Sequence, residues 1–472
     1  MAAAGGVRAG PAPAPAKRLK VAVVGGGLVG ALEAVFLARR GHLVDLYEYR
    51  DDVRRTPHLN RGRTINLTLS HRGRAALRAA GLEAAVMARG LPVRGRLVHA
   101  RDGTRARSLY HPDGQQCIYS VNRKNLNELL LTAAEELPNV RLHFNHKLVS
   151  ADLDSGRLTF QTPLCPEGVS HSAALVVGAD GAHSRVRAAM LRRPGFDFRQ
   201  SNIEHAYLEL RIPPNPDGSS ALEPVDFLHV WPRGSFMLMA LPNGDASWTV
   251  TLFAPDERLR RLCAEPVLAV RLFQTHLDDA LHLIGAPALE RDFAAGRPSL
   301  LLGVKCNPYH VEGKAIIIGD AAHAMVPFYG QGMNAGFEDC LLLDRLMNHY
   351  GDDLQSALAE FSLVRNPDAE AICDLAMYNY TEMRELVAKK SYHFRKKLDG
   401  MLYNFLPNLW VPLYPSVAFT SQGYRWCLEN KQWQDKILQL FAITSISTII
   451  IILGLTVLWI WNFISNEDLS DL

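Results

Sequence analysis

At 472 residues, with 48% hydrophobic and 21% charged side chains, the chain has a globular composition large enough for two or three cores, which excludes a disordered, collagenous or small disulfide-stapled polypeptide. The 51 Lys and Arg against 48 Asp and Glu leave a net charge of +3 spread along the sequence, which argues against a nucleic-acid binder. The cysteines, Cys117, Cys165, Cys263, Cys306, Cys340, Cys373 and Cys427, are odd in number and form no C-x-x-C pair, so they indicate a reducing compartment and no structural metal.

Residues 1–16 are almost wholly Ala, Gly and Pro, cannot bury anything and are expected to be disordered, with no apolar core of a secretory signal before folding begins near Lys17. Leu19 to Val24 then reads as a buried strand, Gly25-Gly26-Gly27-Leu28-Val29-Gly30 as a turn, and Ala31 to Arg40 as a helix. This is G-x-G-x-x-G in the strand, turn, helix context of a dinucleotide site. Gly25 permits the turn, Gly27 lets the backbone approach a pyrophosphate, and Gly30 lets the helix pack on the sheet. A second strand, Leu43 to Tyr47, delivers Glu48 eighteen residues beyond Gly30, where a carboxylate meets a ribose hydroxyl. Because that carboxylate repels a 2′-phosphate, the site is expected to take FAD or NAD and not NADP.

Farther on, the strand Ala174 to Val177 runs into Gly178-Ala179-Asp180-Gly181-Ala182-His183-Ser184-Arg185-Val186-Arg187. Four runs, Ile203 to Ile212, Phe227 to Trp231, Phe236 to Leu241 and Ser247 to Phe253, follow as successive antiparallel strands joined by Pro, Asn and Gly turns. A further strand, Ala315 to Ile318, runs into Gly319-Asp320-Ala321-Ala322-His323. In open α/β sheets ligands lie beyond the carboxyl ends of the strands, which puts Asp180 and Asp320 beside a long cofactor. The glycine-punctuated loop Pro327 to Gly336 opens a helix whose free N–H groups suit a flavin carbonyl. Helices dominate from Asn334 onward. Finally, Ile437 to Asn466 carries no Asp, Glu, Lys or Arg over 30 residues, more than the roughly 20 a helix needs to cross a bilayer. Trp433, Trp459 and Trp461 suit interfacial belts. Arg425, Lys431 and Lys436 before the run, against Glu467, Asp468 and Asp471 after it, give a tail anchor with the body on the cytosolic side.

The three motifs in this order, G-x-G-x-x-G, D-G-x-x-S-x-x-R and G-D-A-A-H, resemble the flavoprotein aromatic hydroxylases of the para-hydroxybenzoate hydroxylase fold. The resemblance implies FAD as cofactor, with Asp320 on the ribityl chain, Asp180 and Arg187 in the motif that touches both FAD and the NADPH path, and Met333, Asn334 and Arg123 against the isoalloxazine. Val29, Tyr47, Arg50 and Leu148 match positions lining the adenosine half. His323 is expected to cap its loop, with no general-base role. No second G-x-G-x-x-G occurs, as in the family, which reduces its flavin with transiently bound NADPH.

Local strings sharpen the match. Leu91-Pro92-Val93-Arg94-Gly95-Arg96, Asn334 to Cys340 and Met377 to Arg384 resemble the kynurenine-hydroxylating members of the family. That implies Arg96 and Tyr110 on the α-carboxylate of L-kynurenine, Asn379 and Tyr414 facing the pocket, and Glu382 near the substrate's ammonium. It also implies hydroxylation by O₂ through a flavin C4a-hydroperoxide, with no metal. A guanidinium fork and a phenol hydroxyl suit a carboxylate chemically.

The expected fold is α/β: an FAD-binding Rossmann-like parallel sheet (residues 17–195, with part of the substrate pocket, and 305–350), an interleaved mixed or antiparallel substrate domain (196–304, antiparallel), a helical pocket region (351–432) and a transmembrane helix (437–464). The resemblance implies the mitochondrial outer membrane; the acidic residues after the span leave the endoplasmic reticulum open. Two other readings stand at this point. One is a membrane-bound flavin reductase or epoxidase of an isoprenoid or quinone; the other is a non-catalytic scaffold that retains the flavin fold.

Overall fold

The computed structural model describes residues 18–55, 66–111, 113–351 and 353–467, so the expected disordered stretch and the acids Asp468 and Asp471 lie outside the described residues. A six-stranded sheet carries the motifs. Its strands are ordered His310–Val311, Ala315–Ile317, Leu175–Gly178, Lys20–Val24, Leu43–Tyr47 and Val140–His143. All but the edge strand His310–Val311 run parallel. Helices cover the sheet, so its central strands are buried on both faces, and Val21, Val23, Val176, Val177, Ile316 and Ile317 are wholly inaccessible. This explains why those segments read as unbroken apolar runs and not as alternating ones.

Leu28–Arg39, Arg123–Glu135 and Gly332–Tyr350 are helices that pack on this sheet or on one another, sharing its core through Ala31, Leu32, Leu130, Ala134 and Phe337. Asn122 caps Arg123–Glu135 by accepting a hydrogen bond from the Asn125 N–H at 3.1 Å, which places Arg123 at the helix start as expected.

The second sheet has seven strands, ordered Ser299–Asn307, Asp197–Ile212, Trp248–Pro255, Met237–Pro242, Phe227–Pro232, Gly95–His99 and Arg105–Leu109. The four expected strands are present and antiparallel. Two more come from the first chain segment, with Gly95–His99 joining parallel to Phe227–Pro232. The segment 17–195, expected to form the cofactor side with part of the substrate pocket, crosses into this sheet before returning.

Four helices, Asp256–Ala264, Pro266–His276, Asp278–Ile284 and Ala286–Ala295, occupy a stretch that the sequence reading left within an antiparallel sheet. Their signal was present. Leu259 and Leu262, Ala269, Val270, Leu272 and Phe273, then Leu289 and Phe293, are buried at helical spacing, with Pro266 at a first helical position. They bury that face against Trp231, Leu238, Trp248 and Val250 of the sheet.

After Gly332–Tyr350 come helices Leu354–Arg384, Lys390–Phe405, Leu413–Phe419 and Tyr424–Glu467. The last is one continuous rod of 44 residues. Its first turns belong to the body, where Tyr424, Cys427 and Gln434 are buried, while Leu440 to Trp461 is exposed throughout. The apolar run thus continues a helix that starts thirteen residues before Ile437.

The flavin-side helices meet around a buried acid. Glu33 on Leu28–Arg39 is enclosed, and burial pushes its carboxyl from 4.5 up to about 8. Between those values the folded chain retains a proton that the unfolded chain has released, so this group lowers stability as pH rises through the window. Glu33→Gln should abolish its share of the slope, at most about 1.4 kcal/mol per pH unit. Denaturant titrations of both proteins at pH 5 to 8 read this directly; parallel pH profiles would refute it.

Candidate active site

The carboxyl edge of the parallel sheet gathers the motif residues. Gly25 has φ +109°, and a Cβ there would stand 2.3 Å from the Ala179 carbonyl oxygen of the neighbouring strand end. One on Gly30 would stand 1.9 Å from the Gly25 oxygen. Gly27, by contrast, faces open space, with nothing within 4 Å of its missing side chain. The turn is therefore closed toward the protein and open outward at the N-terminus of Leu28–Arg39, the shape and polarity that take a pyrophosphate.

Glu48 leaves the next strand and folds back on this turn: its Oε2 accepts from the Gly26 N–H at 2.8 Å and its Oε1 from the Arg50 N–H at 3.0 Å. Arg50 is exposed beside it. Val29 packs toward Gly319 and Gly336, linking the first motif to the third. Tyr47 and Leu148, matched to the adenosine half, lie deeper. The Tyr47 ring is stacked between Phe160 at 4.2 Å and His143 at 4.7 Å, and Leu148 is buried in the same core. Both side chains therefore back the edge from within.

Asp180 caps the helix Arg185–Met190, its Oδ2 accepting from the Arg185 N–H at 2.6 Å and the Val186 N–H at 3.2 Å, while its Oδ1 is buried without a partner. Burial pushes its carboxyl up against these bonds. Arg187 donates to the Ala182 carbonyl at 2.6 Å and the Ala321 carbonyl at 2.7 Å, which fastens the second motif to the third.

Asp320 is exposed at its strand end, and a Cβ on Gly332 would stand 3.9 Å from its Oδ1, so this carboxylate and the N-terminus of Gly332–Tyr350 converge. The Asn334 amide is held within the protein. Its Oδ1 accepts from the Ser70 N–H at 2.8 Å, and its Nδ2 donates to the Thr68 carbonyl at 2.7 Å and the Gly330 carbonyl at 2.8 Å. The side chain is thus fully engaged inside the protein, and what Met333 and Asn334 offer a ligand is the first-turn backbone.

His323 donates through Nε2 to Asp339 Oδ2 at 2.7 Å, the proton being assigned to that nitrogen by its carboxylate partner. The same oxygen accepts from the Gly319 N–H at 2.7 Å, and Oδ1 accepts from Arg365 Nε at 2.6 Å. Burial alone would raise the Asp339 carboxyl; His323 and Arg365 bring it below its ordinary range. His323 is occupied in holding the loop.

A second, smaller box lies where the seven-stranded sheet meets the C-terminal helices. Arg96, 6% exposed, donates through Nη1 to Glu382 Oε1 at 3.0 Å and through Nη2 to Asn379 Oδ1 at 3.1 Å, while its Nε–H is buried with no acceptor. Its guanidinium carbon lies 5.6 Å from the Tyr110 ring and 5.3 Å from the Tyr414 ring, which stack on each other at 4.3 Å. Tyr329 stacks on Tyr414 at 5.5 Å. Burial holds the Tyr329 and Tyr414 hydroxyls well above the usual phenol range and raises that of Tyr110, so all three are neutral donors near pH 7. Asn379 donates to the Phe328 carbonyl at 2.6 Å, tying the box to the flavin-side loop.

Glu382, expected near an ammonium, is engaged by Arg96 and by the Tyr392 hydroxyl at 2.9 Å. A buried guanidinium needs such a counter-ion. Burial would raise the Glu382 carboxyl, but Lys396 and Arg96 hold it low. Tyr392, Lys396 and Tyr329 were not singled out from sequence. Tyr392 and Lys396 share one helical face at spacing four, yet nothing local says which way that face turns.

The arrangement matches known proteins at two levels. A family model described as FAD binding domain matches residues 18–376. Among curated relatives, kynurenine 3-monooxygenase of Anopheles gambiae is 55% identical over 420 residues, covering 89% of this chain and 86% of the relative. That of Sus scrofa is 44% identical over 424 residues, covering 89% and 88%. Among solved structures, 2-methyl-3-hydroxypyridine-5-carboxylic acid oxygenase superposes with a TM-score of 0.64 at 22% identity, covering 78% of this chain and 94% of that one. For p-nitrophenol 4-monooxygenase of Pseudomonas putida the values are 0.63 and 21%, covering 82% and 93%. These structures share the fold.

The outward-open turn, the unpartnered Asp180 oxygen and the convergence of Asp320 on a helix N-terminus together fit FAD. Gly30→Ala drives a methyl into the Gly25 carbonyl and should open the turn. The purified variant should keep its far-ultraviolet circular dichroism but lose most of its bound flavin absorbance; full flavin retention would refute the assignment.

Proposed function

The chain belongs to the kynurenine 3-monooxygenase family of FAD-dependent aromatic hydroxylases, and we propose on that premise that its Arg96 box binds L-kynurenine by the α-carboxylate. One observation carries this reading. The box pairs the buried Arg96 with one carboxylate, Glu382, which Lys396 also faces, and leaves the Arg96 Nε–H without an acceptor. A ligand carboxylate supplies that missing acceptor with a charge complementary to the guanidinium. The Nε and Nη2 edge of the guanidinium meets it as a fork, with the Tyr110 hydroxyl as a further donor and Asn379 and Tyr414 fixing the Arg96 plane. Leu228, Phe253 and Phe328, in the same buried cluster as Tyr110 and Tyr414, give the aromatic ring an apolar wall.

FAD would be held by the Gly25, Gly27 and Gly30 turn at its pyrophosphate and by Glu48 at the ribose, with Val29, Tyr47, Arg50 and Leu148 around the adenosine half. Asp320 would take the ribityl chain, Arg123, Met333 and Asn334 the ring, and Asp180 with Arg187 the motif between cofactor and NADPH. When bound, the flavin takes hydride from NADPH and, with O₂, supplies an electrophilic oxygen atom. The protein's part is to orient the substrate ring and to exclude water. The ring amine of L-kynurenine already donates electron density to the ortho carbon, so hydroxylation there needs no base to ionise the substrate. The box accords with this: its tyrosines stay protonated and its carboxylate is tied to Arg96. An isoprenoid or quinone substrate would offer no carboxylate to the buried Arg96 Nε–H.

We further propose that Tyr424–Glu467 anchors the protein in a membrane from about Ile437 onward, being long and apolar enough to cross one and exposed from Leu440 to Trp461. Arg425, Lys431 and Lys436 favour the body on the cytosolic side. The mitochondrial outer membrane is the finer reading, supported by the family resemblance.

Arg96→Ala should raise the KM for L-kynurenine on the order of 100-fold, the loss of two charge-assisted hydrogen bonds, while flavin content stays at that of the parent. Steady-state NADPH oxidation with L-kynurenine tests this, and an unchanged KM would sink the carboxylate assignment. Deleting residues 438–472 should move the protein from the membrane pellet to the soluble fraction after ultracentrifugation; continued sedimentation with membranes would overturn the span.

A further inference from the structure

The helix Lys390–Phe405 turns its apolar side outward. Phe394, Leu398, Met401, Leu402 and Phe405 recur at spacings of three, four and one along it, a single helical stripe. None of its residues is fully buried, and Phe394, Met401 and Phe405 are 71%, 59% and 79% exposed. The stripe continues into the following turn, where Leu406 and Leu409 are exposed as well. A patch of this kind on a soluble surface needs an occupant.

The neighbouring helix identifies it. Arg395 pairs with Asp435 at 2.9 Å, the Trp410 ring lies 5.8 Å from that of Trp433, and the Val411 carbonyl accepts from Asn430 at 3.0 Å and Gln434 at 2.8 Å. These contacts fix residues 395–411 to the turns of Tyr424–Glu467 immediately before the charge-free run. At about 1.5 Å of rise per residue, Asp435 stands only about 3 Å below Ile437. The stripe is thus held at the level where the span begins. Exposed Lys389, Lys390 and Lys397 flank it, joined by Lys436 on the long helix, while the sole carboxylate of the segment, Asp399, is engaged by Arg395 and the Trp410 indole N–H. Apolar stripe, cationic flanks and the exposed Trp433 indole beside them are the composition of a surface that lies in the headgroup zone. With 16 residues and four Lys and Arg side chains it is too short and too charged to cross.

We infer that Lys390–Phe405 and the turn after it lie flat in the cytosolic-side headgroup and upper acyl zone of the bilayer, a second membrane contact beside the span. This rests on reading 438–461 as the span and adds a fixed orientation of the body to it. The opposite face of the same helix sends Tyr392 and Lys396 to Glu382 in the Arg96 box. One wall of the substrate site is therefore seated on lipid.

The test uses the full-length holoenzyme, checked for retained NADPH oxidation and reconstituted in phosphatidylcholine and phosphatidylserine vesicles, with a photo-crosslinking phenylalanine analogue in place of Phe405, Ile450 or Leu164. Leu164 is an exposed hairpin residue that reports chance encounter with lipid. Lipid adducts at 405 and 450, each several-fold above those at 164, are expected. Adducts at 450 with 405 no higher than 164 would overturn the inference and leave the span standing. Adducts at 405 without 450 would uphold the surface contact and remove the span, and adducts at neither would remove both.

Discussion

Asp339 is the constraint on which the flavin side of the molecule depends. A carboxylate with no exposure must be met by donors on every side, and here those donors are the Gly319 amide, His323 and Arg365. Each belongs to a different piece of chain: a strand end, the short helix after it, and Leu354–Arg384. Arg365 also reaches Glu338, which is shared with Arg72, and both guanidinium groups lie over the Tyr424 ring. Removing one partner from a buried pair costs about 3–5 kcal/mol, because the other charge is left stranded. The network therefore locks the strand end carrying Asp320, the helix opening at Gly332 and the root of the long C-terminal helix into one rigid body.

The Arg96 box answers a different requirement. Its members come from residues 96, 110, 329, 379, 382, 392, 396 and 414, brought together by a sheet strand, two connecting turns and three helices. Charge balance is what makes the combination stable. The guanidinium is tolerated in the interior because Glu382 neutralises it and the faces of Tyr110 and Tyr414 solvate it. The bond from Asn379 to the Phe328 carbonyl joins this box to the loop preceding Gly332, so the two halves of the site share one hinge-free junction.

Much of this was legible in the sequence wherever a signal is local. The strand Leu43–Tyr47 and the antiparallel runs from Ile203 to Phe253 were marked by apolar runs and turn residues, and the chain has no reason to override them. Reading failed where the partner is remote. That Gly95–His99 and Arg105–Leu109 join the second sheet depends on pairing with residues more than a hundred positions away. The engagement of the Asn334 amide by Ser70 and Thr68, and of Glu382 by Arg96, is equally non-local. The helices between Asp256 and Ala295 are another kind of miss, since their periodicity was visible but lay between strands. The charge-free run announced a span, yet the turns before it serve the protein interior, because polar Gln434 and aromatic Tyr424 have partners there.

The interleaving of the two sheets bears on how the polypeptide must be made. Gly95–His99 leaves the ribosome well before its neighbour Phe227–Pro232, and the strand Leu175–Gly178 waits for Ala315–Ile317 until about two-thirds of translation is done. Neither layer can close as an independent unit during synthesis, so the nascent chain must keep unpaired strand edges shielded over a long interval, a natural task for chaperones. For the same reason no single crossover point would let recombination exchange the substrate layer for that of a distant relative.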